Sequence, residues 1–247
     1  MAPDQQWLEQ YTSQKHKLAP PYNLETYFEV NEIAGVPMRR FSVGEVSVPT
    51  GWILVRDPLA WLRRDDRPYL TQVPQGNFTV TIAAAIPDGD SPRYASVKVG
   101  FTGKRSVRQE EALLGIEDLS NLAEGEFFGF NVDAGLAAIA DKQVRDAYCD
   151  FKDRFHQEHP EGNIYDDYFA ALFDASYQQH PGMQRSGGDW ISWTIPGTDY
   201  KMPIFATGFG DGAYPVYYGY DDNDEICALF IHFIDVALAY GEVEEEE

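Results

Sequence analysis

Tyr214-Pro-Val-Tyr-Tyr-Gly-Tyr220, Asp221-Asp-Asn-Asp224 and Ile226-Cys-Ala-Leu-Phe-Ile-His-Phe-Ile234 follow one another near the end of the sequence. The first run is aromatic and β-branched and reads as a strand. The second is a turn, because short Asp and Asn side chains hydrogen-bond to their own backbone. The third is apolar without alternation, so a strand built from it needs cover on both faces. That places Ile226–Ile234 centrally in a sheet, turn-linked to an antiparallel neighbour.

Working outward, residues 40–103 also read as β. Phe41-Ser-Val-Gly-Glu-Val-Ser-Val48 alternates, Pro49-Thr50-Gly51 turns, and Trp52-Ile-Leu-Val55 follows. Phe78–Ile82 and Tyr94–Val99 read as an antiparallel hairpin with one wet face, joined by the turn-forming Pro87–Pro92. Trp190–Ile195 and Met202–Ala206 are further strands. The middle is helical in pattern. Asp133 is expected to cap a helix from Ala134, with Leu136, Ile139, Ala140, Val144, Ala147 and Tyr148 on its apolar face. Gly135 is unfavourable in its first turn, and Pro160-Glu161-Gly162 ends it. A second helix is expected from Tyr165 to Gln179, with Tyr168, Phe169, Leu172, Phe173 and Ser176 on one side. Strands around two helices predict an α+β domain: a mostly antiparallel β-sheet with two central helices packed on it.

Three regions are expected. Residues 1–21 hold an N-terminal helix and linker, with Pro3 in the first helical position, Trp7, Leu8 and Tyr11 on one face, and Ala19-Pro20-Pro21 as the stop. Residues 22–240 form the α+β domain. Residues 241–247 form an acidic tail that repels itself and is expected to be disordered.

The 247 residues are 44% hydrophobic and 14% aromatic, which excludes a low-complexity or disordered chain. With 19 Lys+Arg against 40 Asp+Glu the formal charge is −21. Such a surface repels phosphate backbones and anionic lipid, so no nucleic-acid or membrane partner is expected, and a basic protein is. No run approaches a membrane span and the first residues lack the pattern of a signal peptide, so the expected location is cytoplasmic. Cys149 and Cys227 are too few for a disulfide scaffold or a thiolate metal site.

Chemistry-bearing motifs are sparse. No G-x-S-x-G or S-x-x-K occurs, and neither cysteine sits where a thiolate would be favoured. His156-Gln-Glu-His159 places two imidazoles at i,i+3 without a third metal ligand at a recognised offset; a helix C-terminus accounts for them. His232 reads as a core imidazole. Gly208-Phe-Gly-Asp-Gly212 lies between strands rather than before a helix, so it reads as a tight connection and not a phosphate loop. Asp221-x-Asn223-x-Glu225 mimics a calcium loop, but Ile226 stands where that loop needs glycine. Asp57, Asp133 and Asp211 lie at element boundaries and form an alternative carboxylate cluster for metal-assisted chemistry. Each also has a structural explanation: a turn before Pro58, a helix cap, and a turn between Gly210 and Gly212.

Gly208-Phe-Gly-Asp-Gly-Ala-Tyr-Pro-Val-Tyr-Tyr-Gly-Tyr-Asp221 resembles the family catalogued as domain of unknown function 4241. Gly51-Trp-Ile-Leu-Val-Arg-Asp-Pro-Leu59 with the Phe78–Val99 hairpin, and Phe127-Phe-Gly-Phe-Asn-Val-Asp-Ala-Gly135, are similar to the same family. The resemblance implies a bacterial, intracellular, single-domain protein and assigns no catalytic residue.

Two functions are compatible with these features. The first is an immunity protein that neutralises a basic toxin domain by direct binding, steered by the negative charge. Its expected contact is the hairpin tip Asp221, Asp222, Asn223 and Asp224. The second is a metal-assisted hydrolase using Asp57, Asp133 and Asp211. The first needs no cofactor and no metal, and none is expected.

Overall fold

The computed structural model describes residues 3–87 and 91–241. The elements are α1 (Gln5–Gln14), α2 (Thr26–Glu29), β1 (Glu32–Ile33), β2 (Val36–Val48), β3 (Ile53–Arg56), β4 (Gly76–Ala85), β5 (Arg93–Gly100), β6 (Arg108–Glu111), β7 (Phe130–Val132) and β8 (Leu136–Asp141). There follow α3 (Lys142–Glu158), a π-turn at Tyr165–Phe169, α4 (Ala170–Gln179), β9 (Trp190–Ile191), β10 (Ile204–Ala206), β11 (Gly212–Tyr214), β12 (Val216–Tyr220), β13 (Ile226–His232) and α5 (Val236–Tyr240).

The strands form a seven-stranded sheet of order β1-β2-β4-β5-β13-β12-β6, a four-stranded sheet of order β3-β8-β10-β9, and the pair β11-β7. Every strand pairing described is antiparallel. The chain is an α+β protein dominated by antiparallel sheet. β13 lies inside the large sheet between β5 and β12, and Cys227 through Ile231 are buried. Its unbroken apolar run is thus used on both faces.

β2 ties the layers together. It bulges between Ser42 and Glu45, where Gly44 has φ +106°. A side chain there would collide with Ser192, so glycine permits the bulge to approach the 190–195 segment. Further along, Ser47 N donates to Lys201 O at 2.9 Å and Lys201 N to Ser47 Oγ at 3.0 Å. One hydrophobic cluster includes residues of both large sheets and of α3 and α4. A second joins Trp7 of α1 to Leu18, Leu113, Leu119 and Leu122.

Both central helices form, but the first begins later than its apolar spacing suggests. Leu136 to Asp141 is a strand, buried at every residue and interior to the four-stranded sheet. The run Leu-Ala-Ala-Ile-Ala is apolar on both faces, and Gly135 at φ +65° closes the turn before it. Asp133 is therefore not a helix cap. Asp141 is: it has extended backbone and accepts Gln143 N at 2.9 Å. α3 then buries Val144, Tyr148, Phe151 and Phe155. The rings of Tyr148 and Phe151 meet Trp193 at 6.1 and 5.2 Å between centroids, and Phe169 of the π-turn meets it at 5.1 Å.

Three other boundaries shift. Pro215, which has no N–H, divides the Tyr214–Tyr220 run, so β11 pairs with β7 while β12 pairs with β13 and β6. Trp190–Ile195 is a strand only at Trp190–Ile191, followed by an isolated bridge from Thr194 to Lys201. The β4–β5 hairpin has a wet side along Asn77, Thr79, Thr81, Lys98 and Gly100; Ala83–Ala85 and Tyr94–Val97 are buried throughout. Pro3 precedes the helix, and Asp4 caps it by accepting Trp7 N at 2.8 Å. Asp88–Asp90 of the hairpin turn and residues 242–247 of the expected acidic tail lie outside the described residues.

Candidate functional site

Asp57 follows β3 and is fully buried. Its Oδ1 accepts Leu59 N at 2.9 Å and Ala60 N at 3.1 Å; its Oδ2 accepts Asp133 N at 2.9 Å and Ala134 N at 2.7 Å. Four backbone N–H groups thus occupy the carboxylate, which fixes the turn before β8. Asp211, on the glycine loop after β10, reaches the same turn, accepting Gly135 N at 3.0 Å. Asp57 and Asp211 converge on the 133–135 backbone rather than on each other's carboxylates. The Asp133 side chain is exposed. Among the described residues, no group of three or more His, Cys, Asp or Glu is placed to hold a metal ion.

The glycine loop is built around this turn. Thr207 N donates to Gly135 O at 3.0 Å, and Thr207 Oγ1 donates to Gly210 O at 2.6 Å. Tyr214 Oη also donates to Gly210 O, at 2.9 Å. Gly208 has no room for a side chain, since a Cβ would strike Ile234 and the Tyr94 carbonyl. The loop connects β10 to β11, as its position between strand patterns indicates. It borders a cavity of about 370 Å³ whose lining includes Arg93, Gly135, Arg185, Asp189, Thr207 and Phe209.

A larger groove of about 550 Å³ lies along α3, against the π-turn and residues 196–198. Asp150, Glu158 and Asp167 line it beside Phe151, Phe155 and Tyr168. Arg154 also lines it and donates to Pro196 O at 3.4 Å. Arg64 reaches Asp150 at 2.7 Å and Asp153 at 3.1 Å from outside the groove.

The β12–β13 hairpin divides its four expected contact residues. Asp221 is turned inward: Oδ1 accepts Asn223 N at 2.8 Å and Glu225 N at 3.0 Å, and Oδ2 pairs with Lys104. The Lys104 ammonium holds this carboxyl below its ordinary range. Asp224 adopts φ +60° and pairs with Arg108 at 2.6 Å. Asp222 and Asn223 are exposed, as is Glu225 beyond them.

The other titratable motifs are accounted for by packing. His156 and His159 are exposed and lie against the Phe155 ring at 5.3 and 5.0 Å. Burial raises the Cys149 and Cys227 thiols above their ordinary value, against thiolate chemistry. His232 Nε2 bonds Tyr22 Oη at 2.5 Å, and burial lowers the imidazole to about 4. Sequence reasoning missed Glu111, Asp141 and Asp189, all buried. Asp141 has a readable signal, an aspartate directly before the helical spacing that begins at Val144. Glu111 and Asp189 have none, because their partners are distant N–H groups or a local arginine.

The model of a family described as protein of unknown function (DUF4241) matches residues 46–231, from the end of β2 to within β13. The chain belongs to this family. No curated protein and no solved structure matches it. The DUF4241 region contains Asp57, the 133–135 turn, the glycine loop, the α3 groove and the hairpin tip, whereas α1, α2 and β1 precede it. Among the described residues, no helix is long and apolar enough to cross a membrane.

Proposed function

We propose that this DUF4241 protein is a cytoplasmic immunity protein that neutralises a basic bacterial toxin domain by direct contact. The observation that carries the reading is the α3 groove, in which the carboxylates of Asp150, Glu158 and Asp167 stand beside the rings of Phe151, Phe155 and Tyr168. A lysine or arginine from a partner would find both charge and aromatic faces there, and would be desolvated between them. The net charge of −21 adds long-range attraction that raises the association rate toward a basic protein. The exposed part of the hairpin tip, Asp222 and Asn223, supplies a second contact. The hydrolase reading has less support, because Asp57 would have to give up N–H bonds that hold two turns before its carboxylate could serve a metal or a substrate.

The test is co-expression with a basic toxin domain encoded beside this gene. The expected results are rescue of growth, a complex stable to gel filtration, and association slowed by salt. Asp150→Lys combined with Glu158→Lys is expected to weaken binding about tenfold or more. Absence of both complex and rescue overturns the proposal for that pair.

A further inference from the structure

The cavity beside the glycine loop is lined by more cations than carboxylates. In a chain carrying −21, Arg93 and Arg185 both line it, and Asp189 is its one lining carboxylate among the described residues. Asp189 is already engaged: Oδ2 accepts Arg185 N at 2.6 Å, while Oδ1 accepts Arg185 Nε at 2.9 Å and Nη2 at 2.6 Å. That clamp holds Arg185 in place and leaves its Nη1 without an acceptor among the described residues. An arginine anchored along one edge presents its remaining N–H groups in a fixed fork, the geometry that suits an oxyanion.

Backbone donors adjoin the two arginines. The N–H groups of Gly208 and Gly210 meet no acceptor among the described residues, although the carbonyl of Gly210 is held by Thr207 and Tyr214. Free N–H groups in a glycine turn are ordinary anion ligands. Between these glycines stands Phe209, 59% exposed and part of the same lining. A large aromatic held out at a cavity mouth gains from a flat or apolar group laid against it. The volume of about 370 Å³ falls within the range of small-molecule sites.

We propose that this cavity binds a small oxyanion, phosphate or carboxylate, carried on a flat apolar group. Arg93 and Arg185 take the anion, and Phe209 covers the apolar part. No helix dipole is needed, since paired guanidinium groups do its work. The site is separate from the α3 groove, so it stands or falls independently of toxin binding.

The experiment is isothermal titration of the full chain with phenyl phosphate and, separately, with benzoate. Saturable single-site binding of either is expected, with the tighter of the two identifying the anion. Arg93→Gln and Phe209→Ala are each expected to weaken it about fivefold or more. Both variants should keep the thermal midpoint of the unliganded protein, which separates a lost contact from a lost fold. Failure of both compounds to saturate, or equal binding by folded Arg93→Gln protein, overturns the proposal.

Discussion

The Thr50 hydroxyl lies 2.8 Å from Oδ2 of Asp141, joining the turn after β2 to the residue that caps α3. Thr50 N donates to the same oxygen at 2.9 Å, and Gln143 N to Oδ1 at 2.9 Å. Asp141 is fully buried, so its carboxylate depends on these bonds for its partners. Asp141→Ala removes a cap and orphans the Thr50 groups together, and is expected to cost about 3 kcal/mol. Asp133→Ala, at an exposed side chain, is expected to stay within about 0.5 kcal/mol. Urea unfolding of the two variants checks the contrast.

Asp57→Asn tests the role of the buried carboxylate in holding the 133–135 turn. Asparagine keeps the shape but replaces one acceptor oxygen with an NH2 that faces two N–H donors. The expected loss is about 3 kcal/mol in the same urea assay. Loss of an activity with unchanged stability would instead restore the catalytic reading of Asp57.

Glu111 and His232 pull the pH dependence of stability in opposite directions. Burial raises the Glu111 carboxyl from 4.5 to about 7, while its Oε1 accepts Phe128 N and Gly129 N, both at 2.8 Å. Between pH 4.5 and 7 the folded state therefore holds a proton that the unfolded chain has released. Stability from this group is full below 4.5 and falls by about 3 kcal/mol as pH rises through 7. Glu111→Gln keeps both accepted bonds and should remove that fall, read as ΔG of unfolding against pH.

His232 does the reverse. Burial lowers its imidazole from 6.5 to about 4, so on acidification the unfolded chain takes up a proton before the folded one. Its contribution is full above 6.5 and shrinks by about 3 kcal/mol as pH falls through 4. The two slopes offset one another from about pH 4.5 to 6.5. His232→Gln should expose the Glu111 slope there, and Glu111→Gln the His232 slope.

At the hairpin tip, charge reversal at Asp222 and Glu225 should slow association with the proposed toxin partner by less than about tenfold and leave dissociation almost unchanged, because exposed rim charges act chiefly on encounter. Stopped-flow association at two salt concentrations separates this from a contact effect. A larger change in the dissociation rate would make the tip a central contact rather than a rim one.

The strands were legible where the sequence carries an unbroken or alternating apolar run, as at Ile226–His232 and Phe78–Ile82. The two central helices were legible as elements, but Leu136, Ile139 and Ala140 fit helical spacing and a buried strand equally well. Spacing alone cannot separate them, and Gly135 is the residue that decides. The carboxylates Asp57 and Asp211 were recognisable as boundary residues, yet their shared attachment to one turn depends on contacts 76 residues apart in each case. The arginines around the glycine loop could not be grouped in advance, since Arg93 begins β5 and Arg185 precedes β9.

β13 is synthesised after every other strand of the seven-stranded sheet, yet it sits between β5 and β12. Until it emerges from the ribosome, β5 and β12 each present an open edge, and the sheet exists only as two unjoined parts. Closure is thus an end-of-synthesis event that waits on sequence-distant pairing, and such pairing is slow. A premature stop between Tyr220 and Ile226 leaves both edges exposed with no strand to cover them. Such fragments aggregate rather than persist as partly working protein.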